Sequence, residues 1–287
     1  MEKLLEKKFE CAHPKKDFSF KLLKMEDVFR FDPTPDRNPF KSHRVNFFTM
    51  LLLTEGNMNH EVDFTTYEMV KGDCLFIAKE QIHKFDINPT YKGYVLIFTE
   101  QFILKHFSTS AFSKISFLSN YHLNPTLFRD FGDIDVLISA LKREFEFKLG
   151  KVKEDIVAAM LTVFLLKAQL HASYALKSYN GDYRQFMEFQ NLVNSKFIET
   201  RKANEYANFL NTTYKQLNAL CKAFTHKTAK EYIDNYVVLQ AKRLMVMSEQ
   251  SIKQTAYECG FKEVTNFLKF FKKVAGITPA QFRQMRA

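Results

Sequence analysis

Residues 252–261 read Ile252-Lys-Gln-Thr-Ala256-Tyr-Glu-Cys-Gly260-Phe261. Together with residues 264–275 and Gly276-Ile-Thr278-Pro279, they specify how the last third of the chain folds. The spacing of Ile252 and Ala256 predicts a short helix, and Gly260 permits a tight turn after it. A second helix is predicted from apolar residues at helical spacing, namely Phe267, Phe270, Phe271 and Val274. The order of helix, turn and helix is that of a helix–turn–helix unit.

The segment 203–225 repeats this order. Its first helix has an apolar inner face (Tyr206, Ala207 and Leu210), and Asn211-Thr212-Thr213 supplies a turn and a capping side chain. The second helix turns Leu217, Leu220, Cys221 and Phe224 inward by their spacing. Between the two units, a helix over about 229–247 carries an apolar stripe of Ile233, Tyr236, Val237, Ala241 and Leu244. Such a helix would hold two heads about 34 Å apart, the spacing of successive major grooves on one face of DNA.

Charge is distributed unevenly along the chain. The net charge is +10, of which residues 184–287 carry +9. A basic module beside a nearly neutral one indicates a polyanionic partner for the basic module, although a generally basic surface gives the same asymmetry.

Both second helices leave polar and basic side chains outside. Asn can read adenine and Lys can read guanine, whereas other Lys side chains bind phosphate. We therefore predict contacts to double-stranded promoter DNA, with solvated surface as the alternative for each residue taken singly. The predicted DNA-binding residues are Thr213, Tyr214, Lys215, Asn218, Lys222, Lys262, Thr265, Asn266, Lys269, Lys272 and Lys273.

At these residues the chain resembles the AraC/XylS family of bacterial transcription regulators, over most of 185–287. The matching signature is Ile252, Thr255-Ala256, Gly260-Phe261, Phe267, Phe271-Lys272-Lys273, Gly276-Ile-Thr278-Pro279 and Phe282-Arg283. The resemblance implies a DNA-binding domain preceded by a cupin-like, ligand-sensing β-barrel. It also implies an activator that works as a homodimer with a small-molecule effector, and RNA polymerase is a further candidate partner.

Three positions depart from the family pattern. His226 stands where members often carry Gly, Val237 where they often carry Arg, and Ala219 where a long polar side chain is frequent. We expect the first head to read less sequence than the second, or to bind mainly phosphate.

The N-terminal part has the pattern of short strands separated by turns. Residues 1–40 are polar and predicted to be irregular, and strands are predicted at 47–53, 64–70, 75–77 and 94–99. This pattern predicts a small sandwich or barrel, and the resemblance implies a cupin-like barrel. The predicted fold class is α+β: a small β-barrel with following helices, and an all-α domain with two helix–turn–helix motifs. The predicted domains are 1–127 (β sensor), 128–180 (helical dimerisation segment and linker) and 181–287 (DNA binding).

Two helices are predicted at 134–147 and 153–176, and Tyr179-Asn-Gly181-Asp is the predicted boundary after them. The second helix is apolar on two sides. Val157, Leu161 and Phe164 line one side, and Ile156, Met160 and Val163 line the other. One side can cover the strands, and the other can bind a partner subunit or pack within the same chain.

A ligand site is harder to place in the strand region. Gly72-Asp73 and the later His83 resemble the second cupin motif, but His43 is followed by Arg44 and Val45, so the first motif is incomplete. The pool for a metal is His43, His60, Glu61 and His83, and we expect no metal and no cofactor. Arg44 and His83 are the predicted ligand-binding residues. The phenylalanines Phe47, Phe76, Phe85 and Phe98 can line a pocket or form a core.

The remaining features suggest a cytoplasmic protein that is not an enzyme. The four cysteines show no C-x-x-C spacing and are expected to be buried thiols in a reducing compartment. The N-terminus has no apolar signal core, and the longest apolar run, 156–166, is too short for a bilayer, which needs about 20 residues. No nucleophile–base signature is present. Two alternatives stay open: a cupin-type metalloenzyme with a DNA-binding tail, and a constitutive dimeric DNA-binding protein.

Overall fold

The computed structural model describes residues 20–29, 38–86, 90–106, 127–132, 134–146, 150–175, 182–248 and 250–286. The chain divides into two compact units, 1–177 and 178–287. Cys11 and the predicted boundary at residues 179–181 lie outside the described residues.

Nine strands of the first unit form two antiparallel sheets. The larger sheet contains β1 (Phe20–Lys24), β3 (Phe48–Glu55), β6 (Cys74–Ile77), β8 (Lys92–Phe98) and β9 (Leu127–Phe128), in the order β1-β8-β3-β6-β9. The smaller sheet contains β2 (His43–Arg44), β4 (Asn57–Val62), β5 (Thr65–Val70) and β7 (Ile82–Lys84), in the order β2-β7-β4-β5. The predicted small barrel is thus present as two facing sheets whose described strands are not joined into a closed barrel.

Strand β3 shows why the larger sheet is central. Six consecutive residues from Phe48 to Leu53 are buried, because each face of the strand meets a different core. Met50 and Leu52 belong to the core that includes the helices, whereas Leu51 and Leu53 belong to the core between the sheets.

Among the described residues, four helices accompany the sheets: α1 (Met25–Phe29), α2 (Glu100–His106), α3 (Ile134–Glu146) and α4 (Gly150–Ala175). As predicted, one side of α4 is buried against the strands and α3, through Val157, Leu161 and Phe164. On another side, Val163 and Leu166 are 43% and 42% exposed.

Five strands are absent from the sequence prediction: β1, β2, β4, β7 and β9. Strand β1 lies within the segment predicted to be irregular and pairs with β8 from Phe20↔Phe98 to Lys24↔Tyr94. This pairing joins residues 70 to 78 positions apart, so no local pattern predicts it. Strand β4 forms a hairpin with β5 through Asp63 and Phe64, which both adopt positive φ (46° and 71°). Because Phe64 lies in this turn, the strand predicted to begin there begins at Thr65.

The second unit consists of seven helices among its described residues. They are α5 (Asp182–Lys196), α6 (Ala203–Phe209), α7 (Tyr214–Thr225), α8 (Ala229–Met247), α9 (Ile252–Glu258), α10 (Val264–Ala275) and α11 (Pro279–Gln284). Helices α6–α7 and α9–α10 are the two predicted helix–turn–helix units, and α8 packs against both.

Local sequence explains where these helices begin. Four of them start with a capping box. In this motif the side chain of the Ser or Thr before the helix accepts a hydrogen bond from the third backbone N–H of the helix, and the Gln or Glu side chain at that third position accepts one from the backbone N–H of the Ser or Thr. The pairs are Thr213–Gln216, Thr228–Glu231, Ser251–Gln254 and Thr278–Gln281.

Candidate nucleic-acid interface and interior cavity

The first helix–turn–helix unit has the predicted inner face. Leu217, Leu220, Cys221 and Phe224 of α7 are all buried. The ring of Phe224 stacks on Phe186 of α5 at a centroid distance of 4.9 Å. These contacts fix the angle at which α7 presents its outer face.

That outer face offers fewer free polar groups than the sequence suggested. Tyr214, Lys215 and Lys222 are exposed. The Thr213 side chain caps α7, and Asn218 Oδ1 accepts a hydrogen bond of 2.9 Å from the backbone N–H of Ala229. Two of the five residues predicted to contact DNA in this unit therefore also hold the unit together.

The second unit presents a stronger polar face. On α10, Phe267 and Phe271 are buried, while the side chains on the other side of the helix point to solvent. The exposed set consists of Lys262, Thr265, Asn266, Lys269, Lys272 and Lys273, which are the residues predicted from sequence. Within it, Asn266 Nδ2 lies 3.5 Å from Glu263 Oε2.

The turn of the second unit is held by the loop before α6. Gly260 has φ +76°, and a Cβ built on it would lie 2.2 Å from the carbonyl oxygen of Ile198. The guanidinium of Arg201 lies 3.7 Å from the ring centroid of Phe261 and donates a 3.3 Å hydrogen bond to the carbonyl of Cys259. This contact between the loop before α6 and the second helix–turn–helix unit, missed from sequence, adds to the connection through α8.

Helix α8 is the buried axis of the second unit. Ile233, Val237 and Ala241 have no exposed surface, as the predicted stripe requires. Val237 thus replaces the Arg frequent in the family with an apolar side chain at a fully buried position. Arg243 is itself completely buried on this helix.

The cysteines in this module are structural. Burial raises the pKa of both Cys221 and Cys259 to about 12. At neutral pH they are therefore protonated and act as small apolar side chains, as predicted from their positions.

The first unit contains a cavity of about 50 Å³ between its two sheets. Its lining is mostly apolar and comes from β1, α1, β3, β8 and the segments around β2 and β7. The lining residues are Leu23, Val28, His43, Val45, Phe47, Thr49, His83, Phe85, Val95 and Ile97.

Three buried histidines form a cluster, and two of them, His43 and His83, line this cavity. The ring centroids of His43 and His83 lie 4.2 Å apart, and His60 Nε2 lies 3.0 Å from His83 Nδ1. His43 Nδ1 donates to the carbonyl of Lys41 at 2.9 Å, because a carbonyl oxygen can only accept. Burial lowers the pKa of all three, that of His60 to about 3 with a further contribution from His43, so the cluster is neutral near pH 7.

The other candidate ligands from sequence lie elsewhere. Arg44 pairs with Glu80 at 3.6 Å and does not line the cavity, unlike His83. Asp73 is buried and accepts bonds from the backbone of Val70 at 2.9 Å and from Arg129 at 2.6 Å, which is a structural role. Thr49 also lines the cavity, which no sequence pattern predicted, because the register of its strand decides where its side chain points.

The described residues contain no group of three or more His, Cys, Asp or Glu side chains arranged to hold a metal ion. Glu61, one of the four candidate metal ligands from sequence, points to the opposite face of its strand from His60. It pairs with Lys84 at 3.4 Å. Among the described helices, none combines the length and apolar character that crossing a membrane requires.

Comparisons with known proteins agree with this organisation. Residues 27–145 match an AraC-like ligand binding domain, and residues 206–285 match a helix-turn-helix domain. The transcriptional activator RhaS of Pectobacterium atrosepticum is 23% identical over 261 residues, covering 88% of this chain and 90% of RhaS. RhaR of an Enterobacter species is 21% identical, covering 86% of this chain and 88% of RhaR. A solved structure of ToxT from Vibrio cholerae is also similar, with 17% identity, a TM-score of 0.49, and coverage of 94% of this chain and 100% of ToxT.

The fold and the two matched domains define a DNA-binding transcription regulator with an N-terminal ligand-binding domain. The chain belongs to the AraC/XylS family, as its signature residues predicted.

Proposed function

We propose that this regulator activates transcription as a homodimer in the cytoplasm, where α7 and α10 contact promoter DNA and RNA polymerase is a further partner. The observation that carries the proposal is the outer face of α10. Five polar or basic side chains of α10, and Lys262 in the turn before it, are exposed, and buried phenylalanines fix the angle of the helix. This is the arrangement that a recognition helix needs in the major groove.

The second head is proposed to read most of the sequence. Thr265, Asn266 and Lys269 lie near the start of α10, where side chains reach base edges, and Lys272 and Lys273 suit phosphate. In the first head Asn218 holds the start of α8, and Ala219 is too short to reach a base. Lys215, Lys222 and Tyr214 are left to bind mainly the DNA backbone.

The dimer interface is proposed on α4. Val163 and Leu166 are exposed apolar side chains on the same helix that buries Val157 and Leu161 in the core. A second copy of α4 would cover them. Effector binding in the first unit would then act by favouring one arrangement of the dimer over another, since a ligand shifts an equilibrium only through differential affinity.

Selection of binding sites from a random DNA pool, with the full-length protein at near-physiological salt, tests the DNA-reading part. We expect enrichment of a site with two reading blocks about one helical turn apart. Binding without enrichment that weakens steeply with salt would mean phosphate contacts alone and would contradict the proposal.

Matched variants test the ranking of the two heads. Thr265→Ala and Lys269→Ala should each relax the selected sequence at one position, costing about 1–3 kcal/mol. Lys215→Ala should weaken binding by a similar factor for all sequences. Asn218→Ala should lower stability as well, because Ala229 loses its acceptor. A greater loss of specificity in Lys215→Ala than in Lys269→Ala would refute the ranking.

Deletion of residues 183–287 tests the division of labour. The shortened protein should lose specific DNA binding and still dimerise, which analytical ultracentrifugation measures. Specific DNA binding by the shortened protein would contradict the assignment of α7 and α10.

The alternative of a metalloenzyme with a DNA-binding tail makes a different prediction. Elemental analysis of the purified protein separates it from a regulator without a metal. Stoichiometric metal that disappears in His43→Ala and His83→Ala would support the enzyme, and its absence would remove that alternative.

A further inference from the structure

The walls of the cavity carry no charge. Of its ten lining residues, seven are apolar, and His43, Thr49 and His83 are the polar ones. None is Asp, Glu, Lys or Arg, and Arg44 is engaged with Glu80 outside the lining. A charged ligand would lose its hydration here without gaining a counter-ion, which strongly disfavours binding.

Two polar atoms at the cavity are nevertheless unsatisfied. His83 Nε2 and Thr49 Oγ1 are buried, and neither has a hydrogen-bond partner within the described part of the chain. The two residues are only 4% and 2% exposed. Buried polar groups normally have partners, so these atoms indicate a place for a polar atom from outside.

The chemistry of that atom follows from the histidine pair. One of His60 Nε2 and His83 Nδ1 donates to the other, so His83 Nε2 carries a proton in one arrangement and a lone pair in the other. A hydroxyl group can accept from the first form or donate to the second. It can also exchange a hydrogen bond with the hydroxyl of Thr49, whereas a carbonyl oxygen satisfies only one form.

We propose that the cavity binds an uncharged, short-chain alcohol, with its hydroxyl between His83 Nε2 and Thr49 Oγ1 and its alkyl chain against Phe47, Val95 and Ile97. The proposal rests on the proposed function, because it names the chemical class of the effector. The cavity volume of about 50 Å³ sets the size. It is about a third of the roughly 150 Å³ of an apolar cavity that holds benzene, so a sugar does not fit.

Three probes of equal chain length and different head groups test this in the full-length protein: ethanol, acetate and ethylamine. Histidine side-chain nitrogen NMR follows the signals of His83 during each titration at pH 7.5. We expect saturable shifts of these signals with ethanol at millimolar concentrations and none with the two charged probes. An equal response to acetate, or no saturable shift with ethanol, overturns the proposal.

The variant Thr49→Val provides a second measurement that does not risk the fold. Valine keeps the shape and removes an unsatisfied hydroxyl, so the ligand-free protein should be at least as stable as the parent. Binding of ethanol should weaken about fivefold, the loss of one hydrogen bond. Thr66→Val, on the exposed face of β5, is the matched control and should bind like the parent. Equal affinities of Thr49→Val and Thr66→Val for ethanol would contradict the assignment.

DNA-binding measurements with and without ethanol separate this inference from the proposed function. Binding of the alcohol at His83 with unchanged DNA affinity would support the site and contradict its role as an effector site. A DNA response to a charged or sugar effector, with no alcohol bound, would support the regulator and overturn the inference.

Discussion

Gly260 and Gly276 adopt nearly the same backbone conformation in different surroundings. Their φ values are +76° and +77°, but a Cβ on Gly260 would strike the Ile198 carbonyl at 2.2 Å, whereas nothing lies within 4 Å of a Cβ on Gly276. Gly276→Ala should therefore cost about 1–2 kcal/mol of the free energy of unfolding, from left-handed strain alone. Gly260→Ala should cost clearly more, on the order of 4 kcal/mol, because the loop at Ile198 must also move. Urea unfolding of both variants measures this, and equal losses would show that the close approach is unimportant.

His226 is the converse case. It ends α7 with φ +57°, a conformation that glycine adopts without strain, and its side chain is exposed. His226→Gly should raise the unfolding free energy of the second unit by about 1 kcal/mol. The reciprocal variant Gly276→His should lower it by a similar amount. Destabilisation by His226→Gly would mean that the imidazole makes a contact that outweighs the backbone strain.

For single residues, the sequence predicted which side chains point inward better than it predicted which hydrogen bonds each side chain makes. The inward residues of α7 and α10 could be assigned because helical periodicity is local. The hydrogen bond from Ala229 to Asn218 could not be predicted, because Ala229 belongs to the next helix and meets Asn218 only after α7 and α8 pack.

Among the elements, the segment before α6 fixes the second helix–turn–helix unit. Arg201 stacks on Phe261 and donates to Cys259, and burial lowers its pKa. Arg201→Ala should cost about 1–3 kcal/mol and increase hydrogen exchange in α9 and the turn that follows it. The neighbouring Lys202, 80% exposed beside Glu205, is the control.

Lys202→Ala should change stability by less than about 0.5 kcal/mol, as expected for an exposed ion pair. Similar exchange rates in α9 for the two variants would show that α8 alone holds the second unit in place. The contact of Arg201 was invisible in the sequence, since 58 residues separate it from the carbonyl that it binds.

For the whole first unit, the histidine cluster links stability to pH. His43, His60 and His83 come from three strands, and burial lowers the pKa of each below 6.5. The unfolded chain therefore takes up protons first, so the stabilisation is complete above about pH 6.5 and is lost as the pH falls towards the folded-state values. Each histidine can contribute a slope of about 1.4 kcal/mol per pH unit.

Methyl NMR of Met50 and Met245, one buried in each unit, can follow urea unfolding from pH 7.5 to 5. We expect the midpoint of the Met50 transition to fall much more steeply with acid than that of Met245. His60→Gln should reduce that slope by about one proton. Parallel slopes for both methionines would exclude the histidine cluster as the cause.

The second unit could be predicted from the sequence alone: two helix–turn–helix motifs, their inner and outer faces, and membership of the family. This was possible because capping boxes and 3.6-residue periodicity involve neighbours within a few positions. The first unit's two facing sheets, the strand at 20–24, and the cavity lined by Thr49 and His83 became visible only in the folded structure. Those features depend on which strands pair and in which register, and pairing joins residues far apart in the chain, where no local pattern specifies it.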